Sequence, residues 1–403
     1  MNRLLLALTS TPDPGCMEFK RFWQAYKRQS VLELFEQAME AFQEPMSPEM
    51  CEAYNLIEVI LEITGHHYKA KEFDKVVQFT DLIRHQQPWQ YAQARGYIYM
   101  DLIDVFCFHG QDHRVRQVLG DMAETPEAQY DEFLLCIQKA LYFGYVEEVD
   151  TVCQRIYPVI KRSSRLITGS EEDLAIYHIY HTLQRAYQRQ HEKGQPIAWE
   201  ALAADLEPYE FNQEASFIEP VSEGLFPSND QRLIEQLPSR FRQDPAAALL
   251  VLQMCFLRYM LAQGTPFAVS IEIWGYLVAY WQKNAEESAP LGRFFGLEES
   301  SLQAYLTRQL GLVLDQRFKV ALILWGGLYL YDFLYEQDLI DRITYRRSQV
   351  AIEAQIGRFM QSNAGSFWAY DFVHRWGGRP QSISPDRWEG QKEIFCADYE
   401  QLR

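Results

Sequence analysis

The chain has little of what usually betrays chemistry. Its seven cysteines include no C-x-x-C pair and are odd in number, which argues against a cysteine zinc set and a complete disulfide framework. Cys107, Cys136 and Cys153 fall instead on apolar helical faces, where a free thiol acts as a small hydrophobe, so a reducing, cytoplasmic location is expected. No Glu-x-x-His or His-Glu-x-x-His occurs. His109 with His113, and His178 with His181, therefore lack the further ligands that a helical metal site needs. The pairs Gly326-Gly327 and Gly377-Gly378 lack the spacing of a phosphate-binding loop, and no serine or cysteine stands in a nucleophile elbow. Asp371 and His374 are one helical turn apart without such a nucleophile. No catalytic residue, metal or cofactor is assigned, and the chain reads as non-enzymatic.

Positive charge is also scarce. Lys and Arg number 38 against 55 Asp and Glu, which leaves a net charge of −17. That balance opposes nucleic acid and anionic membrane surfaces and favours a basic partner. The short basic spots, Lys161-Arg162 with Arg165 and Arg342 with Arg346-Arg347, read as solvated helix ends. Long apolar runs are missing as well. The longest, 320–331, has 12 residues and carries Gly326-Gly327, so it reads as a buried core helix rather than a membrane span. Near the start, the apolar residues 4–8 meet Pro12 and Pro14 too soon for a signal peptide, and a packed or frayed tail is expected there.

What is present has the period of a helix. A hydrophobic share of 48% and a charged share of 23% suit an ordinary globular chain, and no strand-like alternation recurs, so the fold class is all-α. A helix–turn–helix pattern returns every 34 to 39 residues, with turns at Ala70-Lys71-Glu72-Phe73, His109-Gly110-Gln111-Asp112 and Phe143-Gly144-Tyr145-Val146. Five residues after Lys71, Gly110 and Gly144 stand Val76, Val115 and Val149, and three further on Phe79, Val118 and Val152. One hairpin cannot cover its own apolar face, so self-similarity at this period predicts stacked hairpins. Four segments are expected: an N-terminal helical segment (1–48), hairpin repeats (49–206), an ordered proline-rich connector (207–245) with a helix near 230–237, and a C-terminal α-helical domain (246–403).

The large residue of each first helix falls on Ile60, Tyr99 and Phe133, and Pro88 and Pro126 follow Val76 and Val115 by twelve and eleven residues. In these features the hairpins resemble the tetratricopeptide repeat. The departures are Thr64, Ile103 and Ile137 where that family has a small residue, valine for alanine on the second helix, and Pro158 coming early. The resemblance implies a right-handed stack whose first helices line a concave face for an extended peptide or partner helix. It puts Tyr68, Tyr97, Met100, Asp104, Phe108, Gln138 and Tyr142 on that face.

Six of the nine tryptophans lie after residue 270. Trp274, Tyr276, Tyr280 and Trp281 on one helix, and Trp325, Tyr329, Tyr331 and Tyr335 on another, read as an aromatic core whose polar tips find partners. The alternative is an apolar pocket for a small ligand around Trp281, Trp325 and Tyr329. The leading expectation is thus a protein-binding adaptor, scaffold or regulatory subunit that takes a protein or peptide partner. A small-ligand receptor or enzyme with its site in the C-terminal bundle is the alternative, and a purely structural subunit of a larger complex the third.

Overall fold

The computed structural model describes residues 17–284, 289–310 and 316–400. The predicted N-terminal tail and the last residues of a helix expected over 300–314 lie outside them. Among the described residues every regular element is helical and no strand occurs, so the fold is all-α. Contacts divide the chain into two compact units, Met1–Ile137 and Gln138–Arg403. The division falls inside the expected repeat region rather than at 206/207 or 245/246.

The first unit carries α1 (Met17–Tyr26), α2 (Phe35–Ala41), α3 (Pro48–Tyr54), α4 (Leu56–Lys69), α5 (Phe73–Gln86), α6 (Pro88–Phe108), α7 (Asp112–Met122) and most of α8 (Tyr130–Tyr142). Its helix ends follow local chemistry. Ser47 caps α3 by accepting from the Met50 amide at 3.3 Å, and Pro48 and Pro88 stand at first-turn positions where a missing N–H is harmless. Helix α6 packs against α4, α5 and α7. Asp121 ties three of these together. Its Oδ2 accepts from Tyr91 and Tyr99 hydroxyls at 2.9 and 2.7 Å, and its Oδ1 from Arg84 at 2.8 Å.

The three aligned turns share one geometry. Lys71, Gly110 and Gly144 are left-handed, with φ of 62°, 62° and 96°. In each, the next amide reaches back five residues: Glu72 to the His67 carbonyl, Gln111 to Phe106 and Tyr145 to Ala140, at 2.9, 2.9 and 3.1 Å. This bond satisfies a carbonyl that the helix end would otherwise leave open. The valines that follow are buried: Val76, Val115 and Val149 are at most 2% exposed.

The second unit continues with α9 (Val146–Lys161), α10 (Glu172–Lys193), α11 (Trp199–Leu206), α12 (Ala215–Leu225), α13 (Asp230–Gln243), α14 (Pro245–Ala262) and α15 (Phe267–Asn284). Then come α16 (Leu291–Phe294), α17 (Glu299–Gln309), α18 (Arg317–Glu336), α19 (Arg342–Ser362), α20 (Phe372–Arg375) and α21 (Pro385–Glu400). Residues 207–245 contain two full helices, α12 and α13, with Pro220 and Pro238 inside them. A helical proline forfeits one hydrogen bond, and here the loss is outweighed by packing: Val221 and Leu225 share a core with Leu202, Leu206, Met254 and Leu257. The same cluster includes Leu183 of α10, so residues expected in the repeat array pack with later helices.

Helix α18 is the axis of this unit and contacts α14, α15, α17, α19 and α20. It and α14 are long and apolar enough to cross a membrane by length and composition; 89% and 50% of their windows are buried inside the protein. Asp332, the lone charge of residues 320–334, is 1% exposed and accepts from the Tyr345 hydroxyl and the Gln381 amide, both at 2.6 Å. Gly326 allows α15 close, since a Cβ there would lie 2.6 to 2.7 Å from Ile273 side-chain atoms. Gly65, in mid α4, has nothing within 4 Å of that position. Gly326→Ala should therefore destabilise the chain by about 1–3 kcal/mol, whereas Gly65→Ala should stabilise it by up to about 1 kcal/mol. Urea midpoints of the two variants check this opposite sign.

Candidate functional site

The residues expected on one concave face fall into different environments. Tyr97, Met100, Asp104 and Phe108 follow one another along α6, but only Tyr97 is open, at 45% exposure. Met100 and Phe108 are half-buried, as is Tyr68 of α4, whose ring stands edge-on to Phe73 at 5.4 Å. Asp104 is buried, which corrects its assignment to an open face. Residues 102–107 are all buried, so the second half of α6 is enclosed around its whole circumference. The solvent side of α6 is its first half, where Trp89 is as exposed as Tyr97. The charge of Glu132, more than burial, holds the Tyr97 hydroxyl above the usual phenol range. Trp89 was missed because the repeat alignment began the binding stripe further along the helix.

Gln138 and Tyr142 lie in the second unit and are buried there, not open. They meet at Glu272 of α15. The Tyr177 hydroxyl donates to Glu272 Oε1 at 3.0 Å, and the Tyr142 hydroxyl approaches Oε2 at 3.4 Å. Gln138 Nε2 in turn donates to the Tyr177 oxygen at 3.0 Å. Burial, then the Asp173 carboxylate, pushes the Glu272 carboxyl up to about 7. Burial raises the neighbouring Asp173 and lowers Lys319, the opposite signs expected of an acid and a base losing water. Burial likewise drives the Tyr142, Tyr177 and Tyr276 hydroxyls upward, so they act as hydrogen-bond groups and not as anions. The one sequence signal for this cluster was Glu272 itself, the sole charge in the apolar stretch 267–281. Its partners come from α8, α10 and α18, so no local spacing announced them.

The aromatic residues read as a core, with a pocket as the alternative, are fully packed. Trp281, Trp325 and Tyr329 are each 0% exposed. Trp281 Nε1 donates to the Tyr331 hydroxyl at 3.1 Å and its ring meets Phe295 at 4.8 Å. Trp325 stands edge-on to Phe359 and Phe395, and the Tyr329 hydroxyl donates to the Gly378 carbonyl at 2.9 Å. Edge-to-face rings fill each other's space, which leaves no room for a ligand among them. Two cavities of this unit, of about 520 and 510 Å³, lie elsewhere and are lined by none of these three residues nor by Glu272.

The other pairs singled out in the sequence are also accounted for. His178 Nδ1 meets Asp150 Oδ1 at 2.6 Å, and among the described residues no group of three or more His, Cys, Asp or Glu is arranged to hold a metal ion. Asp371 accepts from Arg375 Nε at 2.8 Å rather than from His374. His374 packs against Trp388 and Phe395, and burial pushes its imidazole down to about 4.

Glu272 makes the stability pH-dependent. Its folded value lies near 7 against an ordinary 4.5, so the folded chain holds a proton that the unfolded chain has lost. That contribution is present below about pH 4.5 and disappears as pH rises through 7. Glu272→Gln keeps an acceptor for the tyrosines without the charge. It should flatten stability between about pH 5 and about pH 8 and be more stable than the parent at about pH 8; thermal unfolding at both ends tests this, and an unchanged slope would contradict it.

No family model, curated protein or solved structure matches this chain.

Proposed function

We propose that the protein is a non-enzymatic binding module, an adaptor, scaffold or regulatory subunit, that takes a segment of a partner protein on its helical hairpins. The observation that carries this reading is the turn repeated at Lys71, Gly110 and Gly144 with the same left-handed residue and the same backward hydrogen bond. A hairpin repeated in register is the unit of a tetratricopeptide-like, right-handed stack. In the first unit α6 touches both helices of the preceding hairpin as well as its own partner α7, the neighbour pattern that such stacking requires.

The proposed contact surface is the open first half of α6, with Trp89 and Tyr97, continued by the half-buried Met100 and Phe108 further along the helix and by Tyr68 of α4. Aromatic residues and methionine are enriched at interfaces, and tryptophan and tyrosine supply many of their energetic hot spots. A net charge of −17 favours a basic, extended partner and speeds the encounter at low salt. Residues 246–403 are read as an aromatic-rich helical bundle. The six described cysteines are unbridged, which fits a reducing, cytoplasmic setting.

The test compares affinity recovery from native lysate by the parent chain and by Tyr97→Ala/Met100→Ala/Phe108→Ala, with folding checked by circular dichroism. A partner retained by the parent and depleted about tenfold or more from the variant supports the surface, as expected for loss of a hot spot. Unchanged recovery of every partner removes it.

A further inference from the structure

We propose that the groove between α17 and α19 is a binding site for an organic carboxylate with an apolar body. The groove encloses about 510 Å³, within the size range of small-molecule sites. Its floor is Leu306, Val320, Leu324 and Phe359, all at most 7% exposed. Such a floor takes hydrocarbon and repels a fully hydrated anion.

One buried group in this apolar wall is unexplained by the fold. Gln355 lines the groove, is 5% exposed, and its Nε2 has no hydrogen-bond partner. A buried amide N–H without an acceptor is unfavourable, so a ligand oxygen that pairs with it gains more than it would in water. Two cations, Arg317 and Arg358, line the groove, and among the described residues no carboxylate lines it, in a chain where acids outnumber bases by 55 to 38. Arg317 Nη1 donates to Asn363 Oδ1 at 2.9 Å, and Arg358 is steadied by Gln303 and Glu299 at 2.6 and 2.7 Å. Both guanidinium groups are thus held in place along the groove that the amide lines. An apolar floor, one buried donor and two flanking cations suit a carboxylate head on a hydrocarbon or aryl tail. A neutral alcohol would lose the cations, and a small anion such as acetate would lose the floor.

The site lies within the second unit and does not depend on the partner surface of α6. Isothermal titration of the full chain with decanoate and 4-phenylbutyrate, below micelle-forming concentrations, should show saturable binding. Decanol should bind about tenfold or more weakly, and acetate should give no heat. Gln355→Leu replaces an unpartnered amide with an apolar group of similar size, so the fold should persist while the preference for decanoate over decanol is lost. Thr307→Trp, at the exposed mouth of the groove, should weaken both ligands together. Absence of binding by both carboxylates overturns the proposal. So does decanoate binding that matches decanol, or that survives both substitutions unchanged, because the ligand would then sit elsewhere.

Discussion

A helix can be reversed within a few residues only if one of them leaves the right-handed region, and this chain meets that demand three times in the same register. The left-handed residue at 71, 110 or 144 lets the following amide close the preceding helix, and so sets the rotational phase of the next one. Five residues later a valine arrives at the core. One extra residue in the turn would rotate the second helix by about 100° and present Lys75, Arg114 or Glu148 in its place. Lys71 shows that the constraint is on the backbone rather than on glycine. Its half-buried side chain tolerates a conformation that glycine adopts at Gly110 and Gly144 without strain.

Polar contacts between helices are concentrated at single acids set in apolar surroundings. Asp121 gathers Tyr91, Tyr99 and Arg84; Glu272 gathers Tyr142 and Tyr177; Asp332 gathers Tyr345 and the backbone at Gln381. Each is unfavourable to bury alone, so each needs its partners in place, and that need specifies how the helices are oriented. The apolar packing around them is less selective, because many side chains of the right volume fill a core. Burial, with the like-charged Asp173 beside it, pushes the Glu272 carboxyl up to about 7, which keeps its proton on the edge of release near neutral pH.

The proposed binding surfaces lie where this economy leaves side chains over. On α6 the enclosed second half has every residue of 102–107 turned to a neighbour, while Trp89 and Tyr97 stand in solvent on the first half. Between α17 and α19 the left-over group is the amide of Gln355. An exposed aromatic pair and a buried donor without an acceptor are different kinds of surplus. The first suits another protein's surface, the second a small molecule with an oxygen to offer.

Local pattern was enough to place most helices. A helix covers the apolar run 320–331 and another begins at Asp230, as expected, and the three turns lie where their residues aligned, because periodicity, capping and turn chemistry are properties of neighbours in sequence. It was not enough at Pro220, where a helix survives a breaker because distant leucines and Met254 hold it, nor at Pro238, in a helix that buries Leu233, Leu237 and Phe241. Nor did it reveal that Asp104 is enclosed, or that Gln138, Tyr142, Tyr177 and Glu272 converge. Amino-acid order alone determined an acidic, all-helical chain with a repeated hairpin. Which faces are covered, and which carboxyl keeps its proton, was decided only in the tertiary structure, since burial and charge–charge contact depend on residues a hundred or more positions apart, as Tyr142 and Glu272 are.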